Sequence, residues 1–279
     1  MNGLVLENIS AGYDGHEIIH GISLDIMRGQ FSALLGRNGS GKTTLLKTIC
    51  GLIPARSGRC FVDGLDCTDF NERKRAGYIS YIPQRHSKLQ GVTVRDVVLM
   101  GYNPKLRLFD SPTQVEIKNV DSALLKMGLL DLADRDFSKL SEGQKQLIIL
   151  TRTLIQNSPV MLMDEPDSAL DFTNRHGMLS KIRELIYSEG KCGLITLHDP
   201  SMALTYCDKI ILMMNGEIVG TLFPASADKT EIMEQLIKVY GEIKVFEYDD
   251  RFVILPIEDG SVLRDIDTFE DLCGLCSMD

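Results

Sequence analysis

No stretch of this 279-residue chain stays apolar for the roughly 18–20 residues that crossing a bilayer as a helix requires. The most apolar pieces, at residues 147–150, 160–163 and 210–214, are short, so no membrane-spanning helix is expected. The first ten residues, MNGLVLENIS, lack a basic segment followed by an apolar one, and no secretion signal is expected. Positive charge is also short. Thirty Lys and Arg stand against 39 Asp and Glu, a net charge of −9, which argues against nucleic acid as a partner. There is no internal repeat and no low-complexity stretch. Seven cysteines are an odd number for a disulfide framework and read as reduced thiols. Cys273 and Cys276 form a lone C-x-x-C, a weak metal or redox signal without a second pair. What remains is an ordinary globular composition, 44% hydrophobic and 25% charged, able to bury a sizeable core.

Along the chain, residues 4–9 and 22–26 alternate apolar with polar, as half-buried strands do. Residues 31–35 form a continuous apolar run, as a fully buried strand does. Residues 43–50 have helical spacing and stop at Gly51. A short strand at 78–82 is closed by Pro83. Helical spacing then dominates, at 94–100, 115–127 and 144–156. Strand-like runs return at 160–163, 193–197 and 209–213, with a helix at 177–187 between the first two. Strands alternating with helices predict an α/β fold with a mostly parallel sheet. The helical stretch, at about 85–157, reads as a subdomain inserted into an α/β core at about 2–84 and 158–224. The remainder, 225–279, reads as a small C-terminal accessory segment: a helix opened by an Asp228–Glu231 capping box and ended at Gly241, then a hairpin of 244–248 and 251–257.

The strongest motif is Gly36-Arg37-Asn38-Gly39-Ser40-Gly41-Lys42-Thr43, which fits G-x-x-x-x-G-K-[ST] between a predicted strand and a predicted helix. Its glycines let backbone N–H groups turn inward around phosphate oxygens, and the helix aims its positive end at them. Lys42 supplies a point charge for the outer phosphates, and the Thr43 hydroxyl can ligate Mg²⁺. The run Val160-Met161-Leu162-Met163-Asp164-Glu165 places two acids at a strand's carboxyl end, where ligands of such sheets bind. Asp164 can hold magnesium through water, and Glu165 is a candidate general base. Leu140-Ser141-Glu142-Gly143-Gln144 precedes a helix; its S-x-x-Q spacing is that of a capping box, and an exposed helix start is also an anion site.

Over residues 2–224 these motifs, in this order, resemble an ATP-binding cassette (ABC) ATPase, a P-loop NTPase. The resemblance implies ATP and Mg²⁺ as cofactors. It assigns nucleotide contacts to Tyr13, which matches the aromatic that stacks on adenine, and to Gly36, Arg37, Asn38, Gly39, Ser40, Gly41, Lys42, Thr43 and Thr44. Further contacts go to Ser141, Gly143 and Gln144 of the signature and to Asp171 of the D-loop, Ser168-Ala169-Leu170-Asp171. It assigns catalysis to Glu165, to His198 near the γ-phosphate and to Gln84, and magnesium to Thr43, Gln84 and Asp164. It also implies head-to-tail pairing with a second copy, in which Ser141 and Gly143 contact the partner's ATP.

The stretch at 92–101 with Asn103-Pro104, the Leu197-His198-Asp199 context and Val239-Tyr240-Gly241 resemble ATPases of iron–siderophore, haem and cobalamin importers. Such a role implies membrane permease subunits, docked at about 85–105, a solute-binding protein reached indirectly, and a place on the cytoplasmic face of the cell membrane. Glu142, Lys145, Leu147, Thr151, Thr153 and Asp167 depart from the usual pattern. An importer ATPase for another nutrient, or a soluble ATPase of iron–sulfur cluster assembly, remain the alternatives.

Overall fold

The structure, a computed structural model, describes residues 2–84, 89–106, 111–168, 170–248 and 251–257. Two long antiparallel strands come first, β1 (Asn2–Tyr13) and β2 (His16–Met27). Burial in β2 alternates strictly from Ile22 to Met27, so one face looks inward. Next come β3 (Phe31–Leu35), the glycine-rich loop and α1 (Lys42–Ile49). The strands β4 (Ser57–Val62) and β5 (Leu65–Asp66), the short helix α2 (Glu72–Ala76) and β6 (Ile79–Ile82) follow. The first two strands join β4 and β5 in a four-stranded sheet of order β2-β1-β4-β5.

The helical region holds α3 (Val94–Leu99), α4 (Gln114–Lys126) and α5 (Glu142–Gln156), with three short 3₁₀ turns between them. Each of the three helices opens with a complete capping box, Thr93–Asp96, Thr113–Glu116 and Ser141–Gln144. Then β7 (Val160–Asp164), α6 (Phe172–Ser188), β8 (Cys192–Thr196), α7 (Pro200–Tyr206), β9 (Lys209–Met214) and β10 (Glu217–Leu222) complete a six-stranded sheet of order β10-β9-β3-β8-β7-β6. All its pairs are parallel except β10 with β9. Last come α8 (Lys229–Tyr240) and the hairpin β11 (Ile243–Tyr248) and β12 (Arg251–Pro256).

The apolar strands feed two cores by period-two alternation. Phe31, Ala33, Leu35, Met161, Met163, Ile195, Ile210 and Leu212 face the helical region and the C-terminal segment. Leu34, Val160, Leu162, Leu194, Ile211 and Met213 face α1 and the antiparallel sheet. The C-terminal segment is not an appendage: Ile232, Leu236, Val239, Ile243 and Val245 are buried in the first of these cores. Among the described residues, no helix is long and apolar enough to cross a membrane.

The expected strands and helices form, with differences that have physical reasons. The first strand runs past residue 9 to Tyr13, because register shifts and the left-handed Asn8 break its alternation without ending its pairing. The sequence reading had no place for β4, β5, α2, α7 and β10. Of these, α2 is almost wholly charged and carries no apolar period; the Asn71 cap and its buried Arg75 hold it. Of the expected Asp228–Glu231 box, the Asp228 half forms, accepting from the Glu231 N–H at 2.8 Å. Cys273 and Cys276 lie outside the described residues.

Arg75 also fixes the far end of α1. Its Nη1 donates to the Thr48 and Ile49 carbonyls at 3.3 and 3.2 Å, and its Nη2 to those of Cys67 and Thr68. Two of these four are terminal carbonyls of a helix, which lack partners within it. Gly51 permits the approach, since a Cβ there would lie 2.8 Å from the Arg75 Cδ. Arg75→Met keeps the stem but takes the guanidinium from the Ile49 and Thr68 carbonyls, while those of Thr48 and Cys67 still accept from the Gly51 and Phe70 N–H groups, and a loss of about 1–3 kcal/mol is expected. Urea unfolding checks this; an unchanged midpoint would show that water replaces the guanidinium at no cost.

Candidate nucleotide site

The loop after β3 is built to present backbone rather than side chains. Gly41, at φ 103°, starts α1 with no side-chain cap, so the helix's first N–H groups stay open to a ligand. Gly36 sits where a Cβ would come within 2.4 Å of the Met213 carbonyl oxygen. Lys42 is 5% exposed and folds back over the loop, its Nζ donating to the Gly36 carbonyl at 2.7 Å and the Arg37 carbonyl at 3.2 Å. Burial lowers the Lys42 pKa, against the nearby charges of Glu165 and Asp164, which raise it. The Ser40 hydroxyl is buried here with no hydrogen-bond partner.

Opposite the loop stand the acids at the end of β7. Asp164 Oδ1 accepts from the Thr43 hydroxyl at 3.1 Å and from the Thr196 hydroxyl at 3.0 Å. Its Oδ2 accepts from the Tyr81 hydroxyl at 3.1 Å. Burial, and then the Asp164 charge, raise the Tyr81 pKa far above its ordinary value, so Tyr81 is a fixed donor. Glu165 has a left-handed backbone, φ 46°, held by its N–H donating to Thr196 Oγ1 at 2.8 Å. Its Oε2 meets His198 Nε2 at 2.8 Å and accepts from Gln84 Nε2. Burial raises the pKa of the neighbouring Asp167 carboxyl, which faces Arg175 at 3.4 Å.

The outcome is an open cleft of about 530 Å³ lined by Asn38, Gly39, Ser40, Gly41, Lys42, Thr43 and Thr44 with Gln84, Glu165 and His198. Asp164 stands just behind it, bonded to Thr43. Of the expected nucleotide contacts, Tyr13, Gly36, Arg37, Asp171, Ser141, Gly143 and Gln144 are not in the cleft's lining. Tyr13 ends β1, 45% exposed. Asp171 caps α6, accepting from the Asn174 N–H at 2.9 Å. Arg37 turns its guanidinium away from the cleft and donates to the Tyr240 carbonyl at 2.7 Å. Ser141, Gly143 and Gln144 open α5 and are not part of the cleft's lining. A Cβ on Gly143 would lie 3.4 Å from Leu170 Cδ2, so the signature and the D-loop are neighbours. Ala169 of the D-loop and residues 85–88 of the expected docking stretch lie outside the described residues.

The residues present fit a nucleotide and a hard cation. The orphaned Ser40 hydroxyl, the uncapped helix start and Lys42 converge where phosphates would lie. Thr43 and Asp164 offer adjacent oxygen donors, and Gln84 presents its carbonyl oxygen once Nε2 has bonded Glu165. Among the described residues, no three His, Cys, Asp or Glu side chains are grouped to hold a metal. Sequence reasoning did not find Tyr81 and Thr196. The signal for Thr196 was present, a lone hydroxyl at the carboxyl end of an otherwise apolar strand.

The family model described as ABC transporter matches residues 19–168. The manganese transport system ATP-binding protein MntB of Bacillus subtilis is 34% identical over 238 residues, covering 85% of this chain and 91% of its own. The hemin import ATP-binding protein HmuV of Shewanella denitrificans is 34% identical over 241 residues, covering 85% and 90%. A solved metal-chelate type ABC transporter in an inward-facing conformation matches with TM-score 0.78 and 26% identity, over 92% of this chain and 98% of that one.

Thr196 links the two acids, so its hydroxyl matters to both. Thr196→Val keeps the shape, removes a donor from Asp164 and leaves the Glu165 N–H unpaired. Phosphate release at saturating ATP is expected to fall about tenfold. An unchanged rate would mean that Glu165 is held by Gln84 and His198 alone.

Proposed function

The chain belongs to the ABC transporter family as an ATP-hydrolysing cassette, and from that premise we propose that it powers an importer as a head-to-tail homodimer on the cytoplasmic face of a membrane. One observation carries the reading. Glu165 is held between Gln84 and His198 across a single cleft from Lys42, while the signature opens α5 outside that cleft. The chain thus holds one half of a nucleotide sandwich on each of two surfaces, and pairing two copies head to tail completes both.

In this reading the loop N–H groups and Lys42 hold the outer phosphates. Thr43, Gln84 and Asp164 would hold Mg²⁺, which would supply neutralisation of phosphate charge and polarisation of the γ-phosphoryl. Glu165 takes the proton of the attacking water as its oxygen joins the γ-phosphorus and ADP leaves. His198 and Gln84 hold the Glu165 carboxylate in place. Ser141 and Gly143 face the partner's nucleotide, so ATP binds across a closed pair and hydrolysis reopens it.

With no spanning helix of its own among the described residues, the chain works through permease subunits, with a solute-binding protein reached through them. The similarity to HmuV and to a metal-chelate type transporter supports an iron chelate, haem or cobalamin as cargo. Equal identity to MntB supports a second reading, import of a metal ion.

Purification from detergent-solubilised membranes is expected to yield a multi-spanning partner in about equal amount; a soluble partner alone, with none of the chain in membranes, would overturn the importer reading in favour of an assembly ATPase. Glu165→Gln is expected to bind ATP, to lose at least about a hundredfold in hydrolysis and to accumulate an ATP-dependent dimer by size-exclusion chromatography. Hydrolysis at the wild-type rate would remove Glu165 from its role.

A further inference from the structure

The C-terminal segment touches both sides of the cleft. On one side, Arg37 of the glycine-rich loop donates to the Tyr240 carbonyl at 2.7 Å, at the very end of α8. Gly241, at φ 81°, lets the chain turn there; a Cβ would lie 3.4 Å from Arg37 Nη2. On the other side, Asp199 follows His198 directly and caps α7, accepting from the Ser201 N–H at 2.8 Å. The Ser201 hydroxyl accepts the Ile254 N–H of β12 at 3.2 Å. Tyr240 belongs to both sides: its hydroxyl is buried without a partner, and its pKa is pushed up to about 12 by burial, then by the Asp199 charge. The segment is anchored in the core, since Ile232, Leu236, Val239, Ile243, Val245 and Phe246 are buried and the Ile257 N–H closes on the Glu242 carbonyl at 3.0 Å.

We infer that the segment from α8 to β12 is a strap that sets the glycine-rich loop against the His198 loop, with Arg37, Tyr240 and Ser201 as positioning residues for hydrolysis. The inference rests on the reading of the cleft as an ATPase site. Backbone groups of the loop hold the nucleotide, so a side chain that leaves the cleft fixes where those groups stand without touching the substrate. Losing the tie relaxes the distance between Lys42 and His198, which harms the reacting geometry more than binding.

The test uses the full chain. Arg37→Ala is expected to lower kcat about tenfold and to change the KM for ATP less than about twofold, and Arg37→Lys, which keeps a cationic donor, to recover most of the rate. Ser201→Ala is expected to lower kcat about fivefold. Because both substitutions cut one strap, the double variant is expected to be no slower than Arg37→Ala. Hydrogen exchange gives a readout independent of rate: in Glu165→Gln protein, ATP with Mg²⁺ is expected to slow exchange in residues 243–248 and 251–256, and Arg37→Ala to abolish that slowing. Multiplied losses in the double variant, or exchange there that ignores nucleotide, would overturn the strap. Wild-type hydrolysis is measured alongside; its absence would instead overturn the ATPase reading.

Discussion

The Asp164 carboxylate is the point on which the site depends. It ends β7, and its two oxygens accept from Thr43 on α1, Thr196 on β8 and Tyr81 on β6. A carboxylate taken so far out of water is costly unless its lone pairs are met, and three hydroxyls meet them here. In doing so they fix four elements relative to one another. The same carboxylate stands behind the cleft beside Thr43, so the group that organises the cleft is also one of the oxygen donors proposed for the cation.

Sheet register explains why the remaining residues converge. Ile82 pairs with Met163, and Asp164 with Thr196. Gln84 and Glu165 each lie two residues beyond a paired position, and His198 lies two beyond Thr196. Parallel strands all end at one edge, so residues one or two positions past the ends of β6, β7 and β8 meet there. The contacts of Glu165 with Gln84 and His198 follow from that register. The left-handed turn at Glu165 is the local cost, and the Thr196 hydroxyl stabilises it.

What was legible in the sequence were features whose signal is local. The buried strands announced themselves as apolar runs, helix α5 by its Ser141–Gln144 spacing, and the phosphate loop by its glycines. What was not legible depended on partners distant in sequence. Helix α2 shows no apolar period because its buried contact is one arginine bonded to carbonyls 7 to 27 residues away. Tyr81 looks like an ordinary strand aromatic until β7 places Asp164 beside it. The strand β4, beside the two-residue β5, and the edge strand β10 are half exposed, with burial too uneven to read as alternation.

Arg37 shows where a motif stops being informative. The spacing G-x-x-x-x-G-K-T constrains the backbone path and the lysine, because those are the groups that hold phosphate. The Arg37 side chain is free of that duty and is not in the cleft's lining, which leaves only its backbone for a nucleotide contact. In the folded chain its guanidinium points to the end of α8, 203 residues away. A position that the phosphate chemistry leaves open is thus where a cassette can attach a segment of its own and let that segment act on the loop.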